Sequence, residues 1–231
     1  SDGTANICGL EAAQPSMLEW QNRFDALIMQ ASQETSIPAT VMKRLFARES
    51  QFWPGVFNAG DDVGLGQLTT NGADIAFLWN PVFFEEFCPL VFEEDPEVCE
   101  QGYLNLTEEE NERIRGALVY SVNALRDEAP LGLDLTQADF SVNVFANTLL
   151  GSCEQTGQVV YNNTDLAPGV TTSYEDLWKF TLVNYNAGAG CLSLAIGKTL
   201  EEVQELNWEN LSQNFTTVCQ GSKDYVEDIS Q

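Results

Sequence analysis

Between Pro38 and Gln51 the apolar residues Val41, Met42, Leu45 and Phe46 recur at helical spacing, and the next position on that stripe is a carboxylic acid, Glu49. The pattern predicts a helix that presses this acid toward apolar packing. Burial disfavours the charged form, so the pKa rises and the group is able to hold and donate a proton near neutral pH. Taken alone, Glu49 reads as an ordinary helix-end residue beside Arg48 and Lys43. The run that follows it favours the chemical reading.

Other helices announce themselves by capping boxes, in which Ser or Thr precedes Glu by three positions and apolar residues then recur on one face. Ser16 with Glu19 predicts a first long helix carrying Met17, Trp20, Phe24, Leu27, Ile28 and Ala31. Thr107 with Glu110 opens a helix bearing Ile114, Ala117, Leu118 and Leu125, Thr172 with Glu175 another through Leu182, and Thr199 with Glu202 a further one. A short helix near Tyr225 and Ile229 follows. The expected class is mostly α, in one domain over residues 1–231. A Phe-, Glu- and Pro-rich stretch over about 80–106 reads as an insertion, and so does 131–170, which mixes short apolar runs with turn residues so that helix and strand are not separable.

The chain has no His, which excludes Ser-His-Asp and Cys-His catalysis and every His-based metal site. Cys8, Cys88, Cys99, Cys153, Cys191 and Cys219 form an even set without a CxxC pair, favouring disulfides over zinc. The spacing of Cys88 and Cys99 suits a local loop, and Cys8–Cys219 with Cys153–Cys191 are the trial pairings for the others. Sequons at Asn105, Asn162, Asn210 and Asn214 are candidate glycosylation sites. Cysteines and sequons together point to an exported protein: secreted, periplasmic or at the cell surface. Ten Lys and Arg against 35 Asp and Glu give a net charge of −25, which repels nucleic acid and anionic membranes and otherwise reads as a solvated surface. No membrane-length apolar run, calcium-loop motif or cofactor motif is present, so neither membrane insertion, metal nor cofactor is expected. The oligomeric state is not legible.

The run ESQFWPGVFNAGDDVGLGQLTTNGAD from Glu49 resembles the catalytic signature ESxFxPxAxSxxGAxGLMQLMPxT of lytic transglycosylases and goose-type lysozymes, glycoside hydrolase family twenty-three. Glu49, Ser50, Phe52, Pro54, Gly64, Leu65, Gln67 and Leu68 match in register without a gap. The stretch from Asn184 to Gly190 resembles the second signature, AYNAGxG, and Tyr225-Val226 resembles the family's terminal YV helix. The resemblance implies a lysozyme-like fold, with two lobes flanking a cleft and disulfide-bearing insertions. It also implies cleavage of the β-1,4 bond between N-acetylmuramic acid and N-acetylglucosamine in peptidoglycan strands, without a cofactor. Glu49 is the implied general acid and base. Asn58, Gln67, Thr69 and Tyr185 are the implied substrate-contacting residues, with the Tyr185 hydroxyl able to donate to Glu49. Asp61 and Asp62 replace Gly-Ala of the pattern, and Gly66, Thr69 and Thr70 replace Met, Met and Pro. Either Asp is a candidate second carboxylate that positions water; both are also suited to a solvated turn. The rival expectation is a non-catalytic binding or structural component of an extracellular surface assembly that kept the fold.

Overall fold

The longest helix is the one that the sequence leaves unread. In the computed structural model, which describes residues 6–56, 62–202 and 205–230, the stretch from Leu135 to Thr164 is one unbroken helix at the centre of the packing. In chain order the helices are α1 (Ile7–Asn22), α2 (Asp25–Thr35), α3 (Ala39–Ser50), α4 (Thr70–Trp79), α5 (Pro81–Val91), α6 (Glu97–Glu100), α7 (Glu108–Val122), α8 (Leu135–Thr164), α9 (Pro168–Thr171), α10 (Tyr174–Glu202), α11 (Trp208–Leu211) and α12 (Gly221–Ser230). Among the described residues, extended structure is confined to isolated bridges such as Val56 with Val63 and Val63 with Leu68. The class is therefore mostly α.

Helix α8 starts where Asp134 accepts hydrogen bonds from the Thr136 and Gln137 amides at 2.9 and 3.2 Å. Helices α2, α4, α7 and α10 all pack against it. Val142, Val144, Phe145, Ala146, Leu149 and Val160 are buried on different sides of the same helix, so no single apolar stripe marks it in sequence. One core runs from Phe24 on the N-terminal side to Ile229 in α12.

Four helix boundaries differ from expectation. Helix α7 ends at Val122, short of Leu125, and α10 begins at Tyr174 with the Ser173 hydroxyl, in place of Thr172, accepting from the Asp176 amide at 3.1 Å. The first long helix is two: α1 starts with Asn6 capping the Gly9 amide, passes through Pro15 and ends at Asn22, and the chain bends before α2. Ser16 and Glu19 thus lie inside α1, Met17 is half exposed, and the buried stripe begins only at Phe24. Likewise Thr199 opens no helix. It is buried within α10, its hydroxyl donating to the Ala195 carbonyl at 2.7 Å, because α10 continues through a kink at Gly188 with φ 82°, a backbone state that glycine adopts without a Cβ penalty. The Thr107–Glu110 box forms in both directions.

The stretch over 80–106 is built into the core by aromatic packing. Phe77 of α4 meets Phe83, Phe84, Phe87 and Tyr103 at centroid distances of 5.4–6.0 Å, and the Cys88–Cys99 disulfide ties α5 to α6. The second disulfide corrects the trial pairings: Cys191 joins Cys219, while Cys8 and Cys153 are free. The second half of α10 carries Cys191 to the segment that precedes α12. Cys8 stays exposed on α1, and the Cys153 thiol is directed to Thr181 and pushed up by burial. Asn105 and Asn162 are exposed, as a glycan requires, and Asn210 is half-buried. Asn214 is not available: it is 4 % exposed, with its amide donating to Thr199 Oγ1 and the Asn210 carbonyl. No helix of the described residues is long and apolar enough to cross a membrane.

All ten basic side chains are committed to partners within the chain. Arg23, Lys43, Arg48, Arg115, Lys179, Lys198 and Lys223 each lie within 4.0 Å of a carboxylate. Arg44, Arg113 and Arg126 donate to main-chain carbonyls. Several of these contacts are exposed and add little stability, but they leave excess carboxylates over the rest of the surface.

The Gly66 position is filled by a neighbour, for a Cβ there would sit 2.4 Å from Phe145 Cδ1 and 2.7 Å from Cε1. A core ring of α8 occupies the space that a side chain at 66 would need. Gly66→Ala is expected to destabilise the protein by about 1–3 kcal/mol through overpacking, measured by denaturant unfolding; unchanged stability would show that Phe145 yields freely.

Candidate active site

Helix α3 ends in a left-handed turn, with Gln51 and Phe52 at φ 53° and 63°, and this reversal sends the chain away just after Glu49. Ser50, fully buried beside it, donates to the Leu65 carbonyl at 2.7 Å and so fastens the helix end to the glycine-bearing loop. Gly64 in that loop has φ 78°, and a Cβ there would lie 2.9 Å from the Val122 carbonyl. Trp20 steadies the turn from α1, its indole N–H donating to the Phe52 carbonyl at 3.0 Å.

Glu49 stands half-buried in the wall of a cleft of about 620 Å³. Asp62, Gln67 and Thr69 come from the loop side, and Thr148 and Ser152 from α8; Asn184, Tyr185 and Asn186 come from α10. Thr69 also caps α4 by accepting from the Gly72 amide at 3.0 Å, and the Gln67 amide donates back to the Gly64 carbonyl at 3.1 Å. Among the expected site residues, Glu49, Asp62, Gln67, Thr69 and Tyr185 thus share one cleft; Asn58 and Asp61 lie outside the described residues.

The partner of Glu49 is not the expected one. Tyr185 gives its single hydroxyl proton to the Gly66 carbonyl at 2.6 Å, and Tyr225 of α12 donates to Glu49 Oε1. Tyr225 is 5 % exposed and lies beneath the Arg48 guanidinium, whose carbon is 5.9 Å from the ring centroid, while Arg48 pairs with Asp228 at 3.3 Å. Arg44 donates to the Ile229 carbonyl, and Ser222 donates to Asn186 Oδ1 at 3.1 Å. Helix α12 is therefore fixed to α3 and α10 on either side of the acid.

Burial pushes the Glu49 carboxyl above its ordinary value. The Tyr225 hydrogen bond and the Arg48 charge pull it down, and the Asp62 charge adds to the rise; desolvation is the largest effect and the direction is upward. Both Tyr185 and Tyr225 are raised well above the usual phenol value by burial first and by the Glu49 charge second, so each remains a hydroxyl donor. The arrangement can present a proton to a group entering the cleft and take one back. Among the described residues no cluster of His, Cys, Asp or Glu is placed to hold a metal ion.

Sequence reasoning missed Tyr225 as a site residue, although its place on the apolar face with Ser222, Val226 and Ile229 was readable. It also missed Thr148, Ser152 and Asn184, for which only the burial of α8 and its pairing with α10 supplies a reason. Comparison with protein-family models, with curated proteins and with solved structures finds no match to this chain.

Two outcomes follow from the acid's surroundings. Tyr225→Phe removes a donor that favours the carboxylate, so the Glu49 pKa is expected to rise further, measured by carbon NMR titration of its carboxyl group. Because the folded-state pKa is raised, the native protein binds more protons than the unfolded chain, and stability falls as pH climbs from the ordinary carboxyl value through the raised one. Glu49→Gln should remove that penalty, giving a melting temperature gain at neutral pH that vanishes near pH ~4.

Proposed function

We propose that this protein cleaves the β-1,4 glycosidic bonds of peptidoglycan strands, with Glu49 as the general acid. The observation that carries this reading is a half-buried carboxyl, raised in pKa and held by a buried tyrosine, in the wall of a cleft of about 620 Å³. The polar lining supports it: Gln67, Thr69, Asn186 and the hydroxyls of α8 are suited to hydrogen-bond a glycan. The ES, GLGQ and NYNAGAG segments that resemble the family twenty-three signatures meet in this one cleft.

In this reading Glu49 gives its proton to the bridging oxygen as the C1–O bond breaks, and the acetamido oxygen of the cut sugar supports the positive charge that develops at C1. The resulting carboxylate then takes a proton either from the sugar's C6 hydroxyl, which closes an anhydro ring, or from water. One carboxyl group serves both steps, an exception to the paired-carboxylate rule. Asp62 lines the same cleft, which supports assigning it the water of the second route.

The test is incubation with purified peptidoglycan and analysis of the released muropeptides. Wild type should yield anhydro ends by the first route and reducing ends by the second, and Glu49→Gln should lower the rate by about 10²–10⁴-fold with the fold intact. Glycan retained by the wild type without any product would instead support a binding component.

A further inference from the structure

Helix α12 reaches Glu49 through Tyr225, and what seats α12 on its N-terminal side is covalent. Between Thr216 and Gln220, the approach to α12, Cys219 is the one buried residue: it is 3 % exposed, whereas its neighbour Val218 is 93 % exposed. The inward grip of this segment is therefore the bond from Cys219 to Cys191. From there the chain turns directly into the helix, with the Ser222 amide donating to the Cys219 carbonyl at 3.1 Å. Tyr225 follows about 9 Å along the helical path. A short helix carries a displacement from one end to the other, and a hydrogen bond fails once its atoms part by about 1 Å.

The remaining polar ties of α12 are slighter. Arg48 with Asp228 and Arg44 with the Ile229 carbonyl, both at 3.3 Å, hold its C-terminal end, and the first of these is a half-exposed ion pair that adds little. Its N-terminal turn has the Ser222 bond to Asn186 Oδ1 beside the bridge. Cys191 stands on the turn of α10 just past the kink at Gly188, where the backbone leaves helical geometry and a Cβ would meet nothing within 4 Å. Gly188 itself lines the cleft. The bridge thus joins the two elements that flank the acid, across a point suited to act as a hinge.

Its two sulfurs are not alike. Cys191 is half-buried while Cys219 is buried, and the Thr216 hydroxyl donates to Cys219 Sγ at 3.1 Å. An incoming thiolate meets Cys191 Sγ first, and the Thr216 hydrogen bond favours the thiolate that leaves at Cys219.

We propose that the Cys191–Cys219 disulfide is a redox-operated positioning device for the acid: closed, it seats Tyr225 against Glu49, and opened by a dithiol reductant it releases the approach to α12 and leaves Glu49 without its donor. The first reductant thiolate forms a mixed disulfide with Cys191 and expels the Cys219 thiolate; the second displaces Cys191 and closes the reductant's own disulfide. Two electrons and two protons pass to the protein, which ends with two thiols, and the reverse exchange with an oxidised dithiol reseals the pair. Of the groups that face the carboxyl, Arg48, Asp62 and Tyr185 belong to other elements, so Tyr225 is the one that the bridge governs. A chain held in a reducing compartment keeps the open form, and the acid gains its donor on reaching an oxidising one.

The test reads the Glu49 carboxyl by carbon NMR titration in the oxidised protein, in protein treated with graded dithiothreitol, and in Cys191→Ser combined with Cys219→Ser. Thiol alkylation and mass spectrometry report which pair has opened, and circular dichroism follows helix content. Because the Tyr225 hydrogen bond lowers the carboxyl pKa, opening the pair is expected to raise it by as much as Tyr225→Phe does, and to add nothing in a Tyr225→Phe background. Cys88→Ser combined with Cys99→Ser should leave it unchanged. An unshifted Glu49 in the opened protein would overturn the proposal, as would a shift that persists in full without the Tyr225 hydroxyl. Loss of helix content at the step that opens Cys191–Cys219 would equally overturn it, since the bridge would then hold the fold and not the acid. No substrate enters the measurement, so its outcome is separate from what the cleft cuts.

Discussion

The desolvation of one carboxyl group at the end of α3 is the constraint that the rest of the cleft answers to. A buried acid is costly in its charged form, and an unsupported one would simply stay neutral or move to solvent. Here Tyr225 supplies a hydrogen bond, Arg48 supplies charge from the outer side, and Asp62 opposes both from within the cleft. The acid is thus poised between neighbours from three separated parts of the chain. Its ability to give up and regain a proton is a property of that balance more than of its own helix.

The frame that maintains this balance is covalent and steric as well as electrostatic. Ser50 fastens the end of α3 to the loop, Phe145 of α8 fills the space beside Gly66, and Tyr185 closes onto the Gly66 carbonyl. The loop is therefore gripped from three helices, and Gln67 and Thr69 inherit their positions from it. The Cys191–Cys219 bridge links the far side of the Gly188 kink to the approach to α12. These contacts set the shape of the cleft wall around Glu49.

Part of this frame is legible in the sequence. The stripe of Met42, Leu45 and Phe46 predicts α3 and the inward placement of Glu49, because an amphipathic helix of this length has one buried face. The Thr107 box was equally readable, being a purely local hydrogen-bond pattern. What failed shows the limits of local rules. Ser16 with Glu19 and Thr199 with Glu202 have the composition of a cap but sit inside helices, where a hydroxyl bonds back to the preceding turn as Thr199 does. Burial on several sides erases the periodicity of α8 in the sequence. The exchange of Tyr185 for Tyr225 as the donor to Glu49 depends on which carbonyl a distant loop presents, and on the hydroxyl having one proton to give. Cysteine pairing beyond the local Cys88–Cys99 loop was likewise a matter of tertiary placement.

The contact between Tyr225 and Glu49 spans 176 positions of sequence. A polypeptide synthesised from its N-terminus completes α3 long before the residue that tunes its acid leaves the ribosome, so the surroundings of Glu49 are completed only after α8 and α10 have had the chance to assemble. Until α12 docks, Glu49 lacks both its phenolic donor and the ring over which Arg48 is held. The polarity around this carboxyl is thus set by tertiary docking, and α12 dates the moment at which its surroundings are complete.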